Sequence, residues 1–189
     1  MRSEVVMETK RLRLRKWNEA DGELLNAHCN TDEVMKHLGG KQSPEKHAEM
    51  VEWLIEQQRD YEITFWLMER KQDKEFLGFC GLIKVDDPDS TVLGATEIGW
   101  RLRSDMHGKG YAKEAAAACL SYAFEKTDGL RVVSRTVKAN VESWGLMQSL
   151  GMRHDHRLDY TARGDTEPFV VYVATYKDWE RIKMQLLEP

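Results

Sequence analysis

The feature that most constrains this chain is an alanine-rich helix that follows a turn containing two glycines. The turn is Leu102–Ala112, LRSDMHGKGYA, and from Ala112 onward the apolar residues recur at the spacing of one helix face. Because many of these residues are alanine, the helix can lie close against a sheet. The apolar positions are Ala112, Ala115, Ala116, Cys119, Leu120 and Ala123.

The two glycines, Gly108 and Gly110, let successive backbone N–H groups face a single point at the start of that helix. The positive end of the helix dipole adds to the potential there, so the turn suits a pyrophosphate. The segment lacks the GxxxxGK[ST] spacing of a nucleoside-triphosphate loop and the third glycine of GxGxxG. A plain strand-to-helix turn that needs glycine only for its geometry is the alternative interpretation.

Strand and helix signals around this turn are neither segregated nor strictly alternating. Their order is β, α, α, βββ, α, β, α, ββ, which favours a mixed sheet flanked by helices. The predicted strands are Arg11–Trp17, Ile63–Glu69, Phe76–Val85, Val92–Leu102, Leu130–Val137, Arg153–Thr161 and Pro168–Thr175. The longer predicted helices begin at Ser43-Pro44, Ala112, Asn140 and Lys177.

Length and composition limit the class of protein. A chain of 189 residues, 41% hydrophobic and 32% charged, is expected to form one domain with a full core. We expect no membrane span and no secretory signal. The three widely spaced cysteines suggest neither a disulfide framework nor a zinc module, and the net charge of −4 comes without the basic stripe of a nucleic-acid binder. A cytoplasmic protein with no nucleic-acid or membrane partner is therefore expected.

Several motifs together resemble one superfamily. EIGWRL (Glu97–Leu102), HGKGYAKEAA (His107–Ala116) and NVESWGLMQSLGM (Asn140–Met152) occur in the order and spacing of the GNAT acetyltransferases. RLRLRKW (Arg11–Trp17) and FLGFCGL (Phe76–Leu82) resemble the branch that includes the ribosomal-protein N-terminal alanine and serine acetyltransferases. The resemblance covers roughly residues 8–176.

The resemblance implies an α/β (α+β) fold in a single domain over residues 1–189, with a C-terminal helical tail at 177–189. It implies a strongly twisted, mixed sheet of about seven strands flanked by about four helices and splayed between the fourth and fifth strands. Acetyl-CoA is expected in that opening, between the strand ending at Leu102 and the strand Leu130–Val137. The oligomeric state stays open, a homodimer included.

The superfamily signature maps onto His107, Gly110 and Ala112, with histidine where Gln or Arg is usual. The resemblance implies that backbone amides from Gly108 to Ala112 meet the phosphates. Lys109 either adds charge there or is merely solvated. The expected cofactor-binding residues are Trp100, Leu102, His107, Gly108, Lys109, Gly110, Tyr111, Ala112 and Asn140.

Acetyl transfer to an amine needs a base, because a free alkylamine titrates near ~10.4. Strand alternation puts Glu97 and Arg101 on one face, so Glu97 is either the general base or an exposed acid near Arg101. Asn140 is a helix N-cap, a contact of the pantetheine arm, or both. Ser143 is either a capping-region residue or the acid that protonates the departing thiolate.

No metal is expected. His154-Asp155-His156 carries two imidazoles, but the sequence offers no further ligand at a suitable spacing. No cysteine matches a family catalytic position, so direct transfer in a ternary complex is expected. The sequence therefore predicts an acetyl-CoA-dependent N-acetyltransferase acting on a primary amine, either a protein N-terminus or a small molecule. A CoA-binding regulatory or scaffold protein without turnover is the alternative.

Overall fold

The computed structural model describes residues 4–126 and 131–187. Its described residues form eight strands and six α-helices, which confirms the predicted mixed α/β fold with one strand more than expected. The predicted strand start at Leu130 lies outside the described residues. The strands are β1 (Val5–Glu8), β2 (Leu12–Arg15), β3 (Phe65–Arg70), β4 (Phe76–Lys84), β5 (Thr96–Leu102), β6 (Arg131–Val137), β7 (Arg153–His154) and β8 (Phe169–Thr175). The helices are α1 (Asp21–Cys29), α2 (Asp32–Met35), α3 (Pro44–Tyr61), α4 (Tyr111–Lys126), α5 (Val141–Ser149) and α6 (Tyr176–Leu187).

The strands form a sheet in the order β1-β2-β3-β4-β5-β6-β8-β7. Strands β1 to β4 are consecutive antiparallel neighbours, and β5 runs parallel to β6 with Glu97 opposite Val133. The chain divides into two compact units, and β4, β5 and α4 each contribute residues to both.

The first unit comprises Met1–Gly81 and Trp100–Ala115. Helix α3 begins as predicted, because the Ser43 hydroxyl accepts a hydrogen bond from the Lys46 amide and Pro44 occupies the first turn. An apolar cluster lies beneath α1 and α3. Its buried members are Trp17, Leu25, Cys29, Val51, Leu54, Leu67, Phe76 and Phe79.

A glycine in β4 brings the end of β5 close to that strand. An ideal Cβ on Gly78 would lie 2.0 Å from the Arg101 carbonyl oxygen, and the φ of Gly78 is +131°. Both facts exclude a larger residue at this position. The Arg103 amide then donates to the Leu77 carbonyl at 3.0 Å. The chain is thereby fixed where it leaves β5 for the glycine turn.

The second unit comprises Leu82–Gly99 and Ala116–Pro189. Its sheet pairs β6 with β8 in antiparallel register from Arg131↔Thr175 to Val137↔Phe169, and β7 adds to β8. Helix α6 packs its Trp179 against Phe124 of α4, with ring centroids 6.3 Å apart. A second apolar cluster supports this sheet. It contains Val85, Val92, Val133, Tyr160 and Val171.

The largest differences from the prediction concern three strands. Strand β5 begins at Thr96 and not at Val92, because residues 90–95 form turns that close on Val85. The strand predicted at Arg153–Thr161 ends after two residues, since Asp155 caps a short 3₁₀ helix at His156–Leu158. Strand β1 has no counterpart in the prediction. Among the described residues, no helix combines the length and apolar character needed to cross a membrane.

Candidate active site

The glycine turn after β5 reaches α4 through a short 3₁₀ helix at Ser104–Met106. Gly108 and Gly110 both adopt left-handed backbone angles, with φ of +69° and +77°. Only glycine adopts this conformation at little cost, so the two residues set the path of the turn. Met106 is buried beneath the turn, whereas residues 107–110 are exposed.

The backbone amides of this turn remain available to a ligand. The His107 amide donates to the Ser104 carbonyl at 3.1 Å, so it is used within the turn. The amides of residues 108 to 112 donate no hydrogen bond to any acceptor in the described part of the chain. Several N–H donors therefore stand at the positive end of a 16-residue helix, which is the arrangement that binds phosphate groups.

The first turn of α4 is anchored by residues that lie between β1 and β2. The Glu114 carboxylate accepts hydrogen bonds from the Thr9 hydroxyl at 2.6 Å, the Arg11 amide at 2.8 Å and Arg11 Nε at 2.6 Å. Burial opposes the ionised form, but these donors hold the pKa of the Glu114 carboxyl below its ordinary value. The Arg11 guanidinium also donates to the Lys109 carbonyl and lies 4.4 Å from the centre of the Tyr111 ring. A cation is therefore fixed beside the turn.

His107 takes a local role that the family signature does not suggest. Its Nε2 lies 3.1 Å from the carbonyl oxygen of Leu102, the last residue of β5. Because a carbonyl oxygen only accepts, this contact assigns the proton to Nε2. The ring thus ties the turn to the strand, while Lys109 and Ala112 keep exposed or partly exposed side chains.

Glu97 lies in the second unit and is only 7% exposed, so the alternative of an exposed acid is wrong. Its Oε2 accepts from Arg135 Nη2 at 2.8 Å and from Arg135 Nε at 3.1 Å. Arg135 also contacts Asp87 Oδ2 at 3.2 Å and the hydroxyl of Tyr160. Burial raises the pKa of the Glu97 carboxyl above its ordinary value, and the charge of Arg135 opposes that shift.

Asn140 and Ser143 lie at the start of α5. Asn140 is the N-cap, since its Oδ1 accepts from the Ser143 amide at 3.3 Å while its Nδ2 donates to Thr136 Oγ1 at 3.0 Å. The Ser143 hydroxyl is partly exposed and makes no hydrogen bond within residues 4–126 and 131–187. The capping role of Asn140 is thus present, and the Ser143 hydroxyl has a proton to offer.

The pair of histidines near β7 has a third neighbour that sequence spacing did not reveal. His154, His156 and Asp159 each offer a ligand atom within 4.8 Å of the others, so the group could hold a metal ion. His154 Nε2 already lies 2.9 Å from Asp159 Oδ1, and the same oxygen accepts from the Val171 amide. The expectation of a metal-free protein stays a prediction.

Sequence reasoning missed two residues that organise these sites. Arg135 was not expected beside Glu97, although the alternation of RVVSRTV and the parallel register at Val133 put it on that face of β6. The sequence indicates Arg11 only as part of an alternating strand, yet it binds Glu114 from a position 103 residues away in the chain. Neither contact has a local sequence signal.

Residues 11–153 match the model of the acetyltransferase (GNAT) domain. A Bacillus subtilis protein, YkkB, described as uncharacterized, is 30% identical over 173 residues, which cover 91% of this chain and 96% of the relative.

Solved structures with a similar fold include two acetyltransferases. The ribosomal-protein-S5-alanine acetyltransferase of Vibrio fischeri has a TM-score of 0.68 at 17% identity and covers 93% of this chain and 99% of its own. The spermidine N-acetyltransferase of Vibrio cholerae, solved with CoA and spermine, has a TM-score of 0.68 at 16% identity and covers 89% and 98%. At these identities the likeness shows the fold, and the family match over most of the chain shows the family. This chain therefore belongs to the GNAT acetyltransferases and is an N-acetyltransferase.

Proposed function

We propose that this protein transfers an acetyl group from acetyl-CoA directly to a primary amine, in a ternary complex without a covalent enzyme intermediate. The observation that supports the proposal is the row of backbone amides at residues 108 to 112, at the N-terminus of α4. These amides donate no hydrogen bond to an acceptor among the described residues. The pyrophosphate of acetyl-CoA accepts these amide hydrogens, and the partial positive charge of the helix end stabilises its negative charge. The exposed Lys109 adds a positive charge at the same turn.

The remaining cofactor contacts follow the family pattern. The main chain of Trp100 and Leu102 runs alongside the pantetheine arm, which adds to β5 as an extra strand would. His107 supports this arrangement by holding the Leu102 carbonyl, and Tyr111 supports the helix start beneath Arg11. Asn140 caps α5 and contacts the pantetheine arm.

The chemical step needs a base, an oxyanion donor and a leaving-group acid. In the proposed step Glu97, through ordered water, removes a proton from the acceptor ammonium, and the neutral nitrogen attacks the thioester carbonyl carbon. A β5 amide stabilises the tetrahedral oxyanion. The C–S bond then breaks, the CoA thiolate takes the hydroxyl proton of Ser143, and the proton that the acylated nitrogen loses returns through ordered water to the Ser143 oxygen. The raised pKa of Glu97 supports the base role, because it brings the carboxylate closer in basicity to an amine.

The acceptor is a primary amine on a protein N-terminus or on a small molecule. Two proteins of similar fold are named as acetyltransferases of such acceptors, one of a ribosomal-protein alanine and one of spermidine. We include in the proposal a single catalytic domain over residues 1–189, a cytoplasmic location, no metal, and no nucleic-acid or membrane partner. The three cysteines are buried and form no disulfide among the described residues, which fits a reducing compartment.

The first test measures cofactor binding and turnover separately. Calorimetry with acetyl-CoA should show binding in the absence of any amine, and a panel of amines should then release free thiol. Binding of acetyl-CoA without thiol release from any amine of the panel would support the alternative, a CoA-binding protein without turnover. No binding at all would refute the pyrophosphate site.

A second test addresses the base. Glu97→Gln should lower kcat at least tenfold and remove the acid limb of the pH profile while acetyl-CoA binding is unchanged. Glu125→Gln, the same change at an exposed position on α4, serves as the control. An unchanged pH profile in Glu97→Gln would exclude Glu97 as the base.

A further inference from the structure

Arg101 differs from the other arginines of the first unit. In the described part of that unit, six arginines pair with a carboxylate within 4.0 Å, whereas Arg101 pairs with none. The paired residues are Arg11, Arg13, Arg15, Arg59, Arg70 and Arg103. The Nε of Arg101 is buried and has no hydrogen-bond acceptor among the described residues. A desolvated guanidinium without a counterion is costly, so such a group is typically retained for a purpose.

The surroundings of Arg101 are apolar and aromatic. Its guanidinium carbon lies 5.2 Å from the centre of the Phe79 ring, which is itself stacked on Phe65 at 5.4 Å. Its Nη1 lies 3.7 Å from Met50 Sδ, a weak acceptor. An aromatic face orients the planar guanidinium and leaves its edge for a ligand. Arg101 as a whole residue is partly exposed.

The neighbouring titratable groups do not supply the missing negative charge. Burial raises the pKa of the Cys29 thiol to about 12, although Arg101 and Arg103 oppose that shift, so the thiol stays neutral. Burial and then the charge of Arg101 lower the pKa of His47, which is therefore neutral at pH 7. His47 is 3% exposed, and its Nε2 also has no hydrogen-bond partner in the described chain. Two unsatisfied polar side chains thus accompany one uncompensated positive charge.

We propose that Arg101 and His47 form a subsite that binds a carboxylate of the amine acceptor. The positive charge of Arg101, beside the neutral side chains of Cys29 and His47, balances one negative charge. This favours a carboxylate over a phosphate dianion. The planar guanidinium matches a carboxylate in geometry, and His47 can donate to the same group. The inference rests on the proposed function, which runs the pantetheine arm along the main chain of Trp100 and Leu102, the two neighbours of Arg101. The substrate class is then an amino acid or a short peptide with a free carboxylate.

The test compares acceptors as matched acid and amide pairs. Amino acids and dipeptides are assayed by thiol release as free acids and as their amides, with the wild type and Arg101→Gln. A charged hydrogen bond contributes on the order of a ten- to hundredfold in kcat/KM, so the wild type should prefer the acids by that factor. Arg101→Gln should bring the acid-to-amide ratio close to one. Differences in amine pKa cancel, because each acceptor is compared between two enzymes.

The control is Arg59→Gln, which removes the same charge from an exposed site on α3 and should keep the wild-type ratio. Acid-to-amide ratios that are equal in the wild type and Arg101→Gln overturn the inference. A preference for phosphorylated amines that is lost in Arg101→Gln overturns it as well, in favour of a phosphate subsite.

Calorimetry separates this inference from the proposed function. Acetyl-CoA should bind the wild type and Arg101→Gln equally, whereas the carboxylate acceptors should bind only the wild type. If acetyl-CoA fails to bind either protein, the proposed function fails. The titration with carboxylates alone then still decides the role of Arg101, and equal binding to both proteins overturns it.

Discussion

The ion pair between Arg135 and Glu97 allows a quantitative prediction. The side chains are 14% and 10% exposed, so solvent screens the pair little. Arg135→Met removes the guanidinium and leaves the Glu97 carboxylate buried without its partner. Removing one member of a buried pair costs about 3–5 kcal/mol in the free energy of unfolding. For a chain of this size that corresponds to a fall in Tm of roughly 6–20 °C.

The deficit should depend on pH because only the ionised carboxylate is penalised. Burial already raises the pKa of Glu97, and losing Arg135 raises it further. Below the unfolded-state pKa, near ~4.3, Glu97 is protonated in both states and the penalty is absent. As pH rises, the unfolded state ionises first and is favoured. The variant therefore loses stability up to the pKa of Glu97 in the folded state.

Urea unfolding at pH 5 and pH 8 measures this effect. The gap between the wild type and Arg135→Met should be larger at pH 8. Adding Glu97→Gln to Arg135→Met should recover most of the loss, since the remaining side chain is neutral. Arg157→Met, which breaks an ion pair of a largely exposed arginine, should change stability little. A gap that is equal at both pH values, or no recovery in the double variant, would refute the reasoning.

Three further predictions concern the turn, the unpaired arginine and the metal. Gly110→Ala should lower the free energy of unfolding by about 1–2 kcal/mol, because the φ of Gly110 is +77°, and it should also weaken acetyl-CoA binding. The control is Gly145→Ala within α5, which should raise the free energy of unfolding by up to about 1 kcal/mol. Arg101→Met should raise the free energy of unfolding by about 1–3 kcal/mol, measured in urea, while acceptor affinity falls; a less stable variant would contradict the uncompensated charge. A chelator should leave thiol release unchanged, because the Asp159 carboxylate already engages His154 and the Val171 amide; a loss restored by added zinc would contradict this.

The predicted fold class is confirmed because it depends on local signals. Ser43-Pro44 fixes the start of α3, and the glycine turn fixes the start of α4. The errors occur where a local turn interrupts a run that reads as one strand. The run from Arg153 reads as one strand, but Asp155 caps a 3₁₀ helix that ends the strand after two residues.

Only part of the candidate site could be predicted from the sequence. The amides at residues 108 to 112 could be predicted, since glycine spacing and a helix start are read directly from the sequence. The partner of Glu97 could not, because a strand alternation allows several neighbours and only the register of β5 on β6 selects Arg135. Which polar groups remain unsatisfied is likewise a property of the folded chain.

Two arginines in strands, Arg101 and Arg135, differ in whether the described chain supplies a carboxylate for their charge. In sequence, Arg101 and Arg135 look alike, since each lies within a predicted strand. Arg135 is compensated by Glu97, Asp87 and the hydroxyl of Tyr160, so its charge is satisfied within the protein and it needs no ligand. Arg101 has a thioether and an aromatic face but no carboxylate, so the desolvation of its charge is not offset by the described chain. A bound carboxylate would offset it, and this difference is why acceptor recognition is assigned to Arg101 and not to Arg135.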